Sequence, residues 1–209
     1  MTDKLPAICE NDGFNAPAEM LDDRVIVGTH LKWVDRVWSA GGVELPAGTR
    51  LLALALRRLL QRWEGGYVVE AIETEPLPDL DRLNATIPDS EWEIGVDNKP
   101  QAPWQRCFVV YLLDTATAAK LTFANSSGGS GVAWRELRDR VSTMRAIKGA
   151  NVYPIVELQS RPFSKRFKKD RPHFEPVDWR AWGATEATPR LTKVPEPTAA
   201  EELNDKIPF

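Results

Sequence analysis

The stretch Arg50–Trp63, RLLALALRRLLQRW, decides how the rest of the chain is read. Its Leu51, Leu52, Leu56, Leu59, Leu60 and Trp63 recur at helical spacing. Thr49 stands where an N-cap would, and Gly65-Gly66 follow as a stop. The spacing therefore predicts an amphipathic helix. Everything around it reads as strand. Upstream, RVIVGTHLKWVDRVW (24–38) mixes β-branched and aromatic residues in partial alternation, which fits one bent strand or a hairpin around Gly28. Downstream, YVVEAIET (67–74) reads as a strand, and RCFVVYLLD (106–114) with KLTFA (120–124) as the two arms of a hairpin.

Between them, from Glu75 to Trp104, five prolines, several acids and no sustained period indicate a long surface excursion. The Gly/Ser run NSSGGSG (125–131) lacks the Lys-Ser/Thr of a P-loop and the spacing of a dinucleotide site, and reads as a flexible connector. VAWRELRDRVSTMRAIKG (132–149) is a second amphipathic helix, with Trp134, Leu137, Val141, Met144 and Ile147 on one stripe and Gly149 as its stop. VYPIVELQS (152–160) and HFEPVDW (173–179) are the last strands. Five to seven strands with two inserted helices give a mainly β, α+β chain, and an OB-like small barrel is the architecture expected. Residues 1–23 read as a flexible leader, 24–182 as the folded domain and 183–209 as a disordered linker and acidic tail.

Composition bounds the function. The chain has 209 residues, 43% of them hydrophobic, enough for one real core. It has no 18-residue apolar run, and its first twenty residues lack the basic and apolar segments of a signal peptide, so a cytoplasmic location is expected. Two histidines far apart, His30 and His173, and two isolated cysteines, Cys9 and Cys107, offer neither a metal site nor a disulfide framework. No metal or other cofactor is expected. No catalytic motif stands out: the paired carboxylates Glu91 and Glu93 lie where surface charge is expected, and the chain reads as a non-enzyme.

The net charge of −3 hides a split. From Glu196 onward, Glu196, Glu201, Glu202 and Asp205 oppose Lys206 alone. Between Arg161 and Arg171, by contrast, Arg161, Lys165, Arg166, Lys168, Lys169 and Arg171 face only Asp170. SRPFSKRFKKDRPHF (160–174) interleaves these cations with Phe163 and Phe167. Cations that track phosphates and rings that accept unstacked bases are what single-stranded nucleic acid requires. A solvated hairpin tip with its rings turned into the core is the plainer explanation of the same residues. Most of the eight tryptophans read as core. Trp92 and Trp104, in the polar excursion, are further stacking candidates.

The terminus, EELNDKIPF, resembles the C-terminal tip of bacterial single-stranded DNA-binding proteins, which close on acids followed by Ile-Pro-Phe. The overall plan also resembles phage-encoded proteins of that kind. The resemblance implies an OB-fold body coating single-stranded DNA, and a tip that docks replication, repair and recombination enzymes. Phe209 would enter a partner's hydrophobic pocket and its carboxylate a basic contact, with Ile207 and Pro208 alongside and Asp205 among the steering acids. It covers Glu201–Phe209 and not the body, and Lys206 stands where the family has an acid. A homo-oligomer is compatible with this plan. The competing expectation is an adaptor or inhibitor that mimics a host tail without binding DNA.

Overall fold

A computed structural model describes residues 25–95, 98–164 and 169–181. The first correction concerns the decisive stretch. Arg50–Glu64 is not a helix but a single long strand, β4, and the chain runs β1 (Thr29–Val34), β2 (Val37–Ala40), β3 (Val43–Leu45), β4, β5 (Tyr67–Ile72). Then follow α1 (Leu80–Ala85), the short ribbon β6 (Glu93–Ile94) and β7 (Pro100–Gln101), β8 (Trp104–Leu113), β9 (Lys120–Asn125), α2 (Gly128–Lys148), β10 (Val152–Ser164) and β11 (Lys169–Ala181). β4 pairs with β8 from Leu52↔Leu113 to Arg62↔Trp104, while its other edge takes β10 at Arg50–Leu52 and β5 at Leu60–Glu64. Every side chain from Leu51 to Leu56 is buried, odd and even alike. A strand buried on both faces needs apolar residues at consecutive positions, and such a run matches a helical template by accident.

The main sheet has nine strands in the order β11-β10-β4-β8-β9-β1-β2-β3, with β5 beside β4. All its pairs are antiparallel except β1 with β9, and it curls into an open half-barrel. Its core shows the curl. Trp38 of β2, Phe123 of β9 and Phe174 of β11 come from separated positions in the strand order, yet their ring centroids lie 5.4–5.5 Å apart. Three large rings meeting at T-shaped and tilted angles contribute both buried area and favourable edge-to-face contact. Across the remaining gap, Trp33 Nε1 donates to Ser160 Oγ at 2.9 Å and Arg36 pairs with Asp170. The β1–β2 turn rests on Asp35 and Arg36, both at positive φ, rather than on Gly28.

α2 is the predicted second helix, but it begins inside the Gly/Ser run that reads as a connector. Ser127 caps it, accepting from Ser130 N. A Cβ on Gly129 would lie 2.8 Å from Arg171 Cβ, and one on Gly131 would lie 2.7 Å from the Phe108 ring. The glycines let the helix press onto β11 and β8. Trp134, Leu137 and Val141 are buried as expected, whereas Ile147 is exposed, so the apolar stripe ends a turn early. The excursion after β5 carries α1 and a 3-10 turn at Asp89–Glu91. Cys107 is a buried free thiol whose pKa burial pushes up to about 11, and Cys9 lies outside the described residues. Among the described residues no helix is long and apolar enough to cross a membrane.

Candidate nucleic-acid interface

β10 and β11 form one antiparallel hairpin from Val152↔Ala181 to Ser164↔Lys169. Ile155–Glu157 of β10 pair with β4, and Leu158 exchanges backbone hydrogen bonds with Gly48 and Thr49 just before it. Lys165, Arg166, Phe167 and Lys168, between the two strands in sequence, lie outside the described residues. Phe163, near the end of β10, is 41% exposed. Its Cζ lies 3.7 Å from where a Cβ on Gly128 would stand, so the ring sits beside the exposed start of α2. Lys169 opens β11 on the exposed surface.

The other sequence candidates fare differently. Arg171 is 7% exposed, and its guanidinium makes two hydrogen bonds to Glu136 at 2.8 and 3.0 Å. It is a buried structural partner, not a phosphate contact, because reaching a phosphate would strand the Glu136 carboxylate. Arg161 donates to Glu175 Oε2 at 2.6 Å and is partly exposed. Trp104 is 5% exposed, and Asn84 clasps its backbone, donating to the carbonyl at 3.1 Å and accepting from the amide at 2.9 Å. Its ring is shut away from any stacking base. Trp92 is half-buried, its indole N–H donating to the Ile87 carbonyl at 3.1 Å. Asp205, Ile207, Pro208 and Phe209 lie outside the described residues.

Behind the hairpin sits a polar network that the sequence does not reveal. His173 is fully buried; its Nε2–H donates to Glu175 Oε2 at 2.8 Å, while Nδ1 stands 3.2 Å from Glu136 without hydrogen-bond alignment. Arg140, Arg161 and Arg171 surround the same two carboxylates. With three guanidiniums against two carboxylates, a further positive charge is unwelcome. Burial lowers the His173 pKa from 6.5, and the charge of Arg161 adds to this against the pull of Glu175 and Glu136. Burial pushes the Glu175 carboxyl up, but the His173 and Arg140 hydrogen bonds and the Arg140 and Arg161 charges outweigh it, leaving its pKa below 4.5. The +5 suggested by composition is thus partly neutralised inside the protein.

A cleft of about 630 Å³ is lined among others by Trp63, Ile87, Glu91, Glu93, Gln105 and Ser126. β4 supplies Trp63, β8 supplies Gln105, and the excursion folds over to supply the rest of one wall. The Glu93 carboxylate accepts from the Gly65 amide. The sequence hides this site because Trp63 falls on an apparent helical stripe, and Glu91 and Glu93 fall where open surface charge is expected.

Comparison with protein-family models, curated proteins and solved structures finds no match to this chain.

Proposed function

We propose that the chain binds single-stranded DNA, largely without sequence preference, and recruits replication, repair or recombination enzymes through Ile207-Pro208-Phe209. The observation that carries this is Phe163. It is a large ring, 41% exposed near the end of β10, and the residues that follow it in sequence, Lys165–Lys168, include three cations. Burying the exposed part of that ring would have contributed about 1 kcal/mol, so its exposure suits a ligand with a flat face of its own. The curled sheet is compatible with an OB-like barrel, the architecture this reading favours. Phe163, Phe167 and half-buried Trp92 would offer stacking surfaces. Arg161, Lys165, Arg166, Lys168 and Lys169 would track phosphates.

A second reading draws on the ion pairs. Glu175 and Glu136 already hold Arg161 and Arg171, which favours an adaptor that uses its terminal motif without binding DNA. Titration of a labelled oligonucleotide with Phe163→Ala separates the two. The DNA-binding reading expects a loss of about 1–3 kcal/mol of affinity at unchanged stability, and the adaptor reading expects no binding by either protein.

A further inference from the structure

We infer that the open edge of β5 pairs with the same edge of a second copy of this chain, antiparallel and about a two-fold axis, so that the two main sheets become continuous. Among the described residues three strands of the main sheet have a single neighbour: β11 beside β10, β3 beside β2 and β5 beside β4. An open edge offers its backbone groups to any other strand, and proteins ordinarily blunt it with proline, charge or shortness. β11 carries Pro172 and Pro176, with Lys169 and Arg180 near its ends, and β3 is only three residues long. β5 has six residues, YVVEAI, with no proline and no lysine. Its one charge, Glu70, faces Arg62 at 3.4 Å.

The side chains select the partner. Tyr67 is 77% exposed, and Val68 and Val69 beside it are exposed as well. Every position from Tyr67 to Ala71 is open, so neither face of the strand is covered. A group laid on one face would leave part of this apolar surface in water, whereas a strand added in the plane of the sheet, itself apolar on both faces, shelters both. β5 is such a strand. Charge points the same way. Arg57, Arg58 and Arg62 of β4 face Glu73, Glu75 and Glu70, and Glu64 tips the balance to negative. The β4–β5 hairpin therefore has no surplus cation to hold an acidic segment. Residues 1–23 carry six acids against Lys4, and the stretch from Glu196 carries four against Lys206, so neither end of the chain suits this edge. A nucleic-acid backbone is disfavoured for the same reason, while a second copy brings charges that are already paired. The β4 ladder skips Val69, between Arg62↔Glu70 and Trp63↔Val68, and a bulge of this kind raises the twist and keeps the new ladder short. Two six-residue strands bury on the order of 1,000 Å² in total, the low end of specific interfaces, so the pair should be reversible.

The test is sedimentation of the full chain, without nucleic acid, over a concentration series. The wild type should pass from monomer to dimer within roughly 1–200 µM, the range expected of an interface this small. Val69→Lys and, separately, Tyr67→Ser should each weaken the dimer about tenfold or more. Neither should change the melting temperature of the dilute monomer, since both side chains are exposed. Hydrogen exchange supplies the second readout: the amides of Tyr67–Ile72 should slow as concentration rises in the wild type and not in either variant. A chain that stays monomeric throughout, or a dimer that survives both substitutions, overturns the inference. So does protection of the β5 amides that is the same at every concentration, which would place a segment of the same chain on the edge. If the dimer forms as expected while no oligonucleotide binds, this inference stands and the strand-binding reading falls.

Discussion

The indole N–H of Trp38 donates to the backbone carbonyl of Gln159 at 3.1 Å, joining strands β2 and β10 that are 121 residues apart in the chain. No backbone ladder joins those strands among the described residues, so this bond and the Trp33–Ser160 contact close the half-barrel with side chains. Trp38→Phe keeps a ring against Phe123 and Phe174 but strands the carbonyl and leaves a void. It should cost about 1–3 kcal/mol in urea unfolding, and Trp38→Ala more. A Trp38→Phe protein as stable as wild type would mean that the seam is held elsewhere.

The His173 network makes stability depend on pH with a defined sign. The folded pKa of His173 lies below its ordinary 6.5, so below that value the unfolded chain binds the proton more readily. The contribution is fully present above pH 6.5 and is lost as pH falls through the folded value. Glu175, also held low, adds a second loss below its ordinary 4.5. Denaturant midpoints should fall from about pH 7 to pH 5, and His173→Gln should flatten that part of the slope. A midpoint that rises on mild acidification contradicts the arrangement.

At Gly131 two opposed effects have a clear winner. In a helix interior Gly→Ala ordinarily gains about 1 kcal/mol, but here the new methyl would meet the Phe108 ring, itself packed on Trp134 with centroids 5.9 Å apart. Overpacking of that kind costs about 1–3 kcal/mol, so Gly131→Ala should lower the melting temperature. A gain would show that the ring yields freely.

Most of the strands are legible as short β-branched and aromatic runs between turn signals, including β8, β9, β10 and β11. Arg50–Trp63 is not, because burial on both faces erases the two-residue period that marks a strand. The start of α2 is hidden for a related reason: its glycines serve close helix packing, yet look locally like a flexible loop. Among the candidate residues, the exposure of Phe163 is legible because a ring set among cations has no apolar run around it to pack in. Arg171 and Trp104 mislead because the groups that bury them, Glu136 and Asn84, lie 35 and 20 residues away. A charge count over a short window cannot see partners at that distance.

The terminal motif carries its own prediction. Deleting Ile207–Phe209 should leave the melting temperature unchanged and abolish capture of host enzymes that recognise such tails, while amidating the Phe209 carboxylate should weaken capture by removing a charge-assisted hydrogen bond. A large drop in melting temperature would place Phe209 in the protein's own fold and make the likeness of the tip a coincidence.

The central claim is tested most directly by one titration: affinity for a single-stranded oligonucleotide and for its duplex, measured across a salt series. The account predicts tighter binding of the single strand and a steep fall of affinity with salt. It also predicts a slope made shallower by alanine at Lys165, Arg166, Lys168 and Lys169, since each phosphate no longer neutralised takes about 0.7 from a single-strand slope. Equal affinity for both forms, or binding by neither, would contradict it.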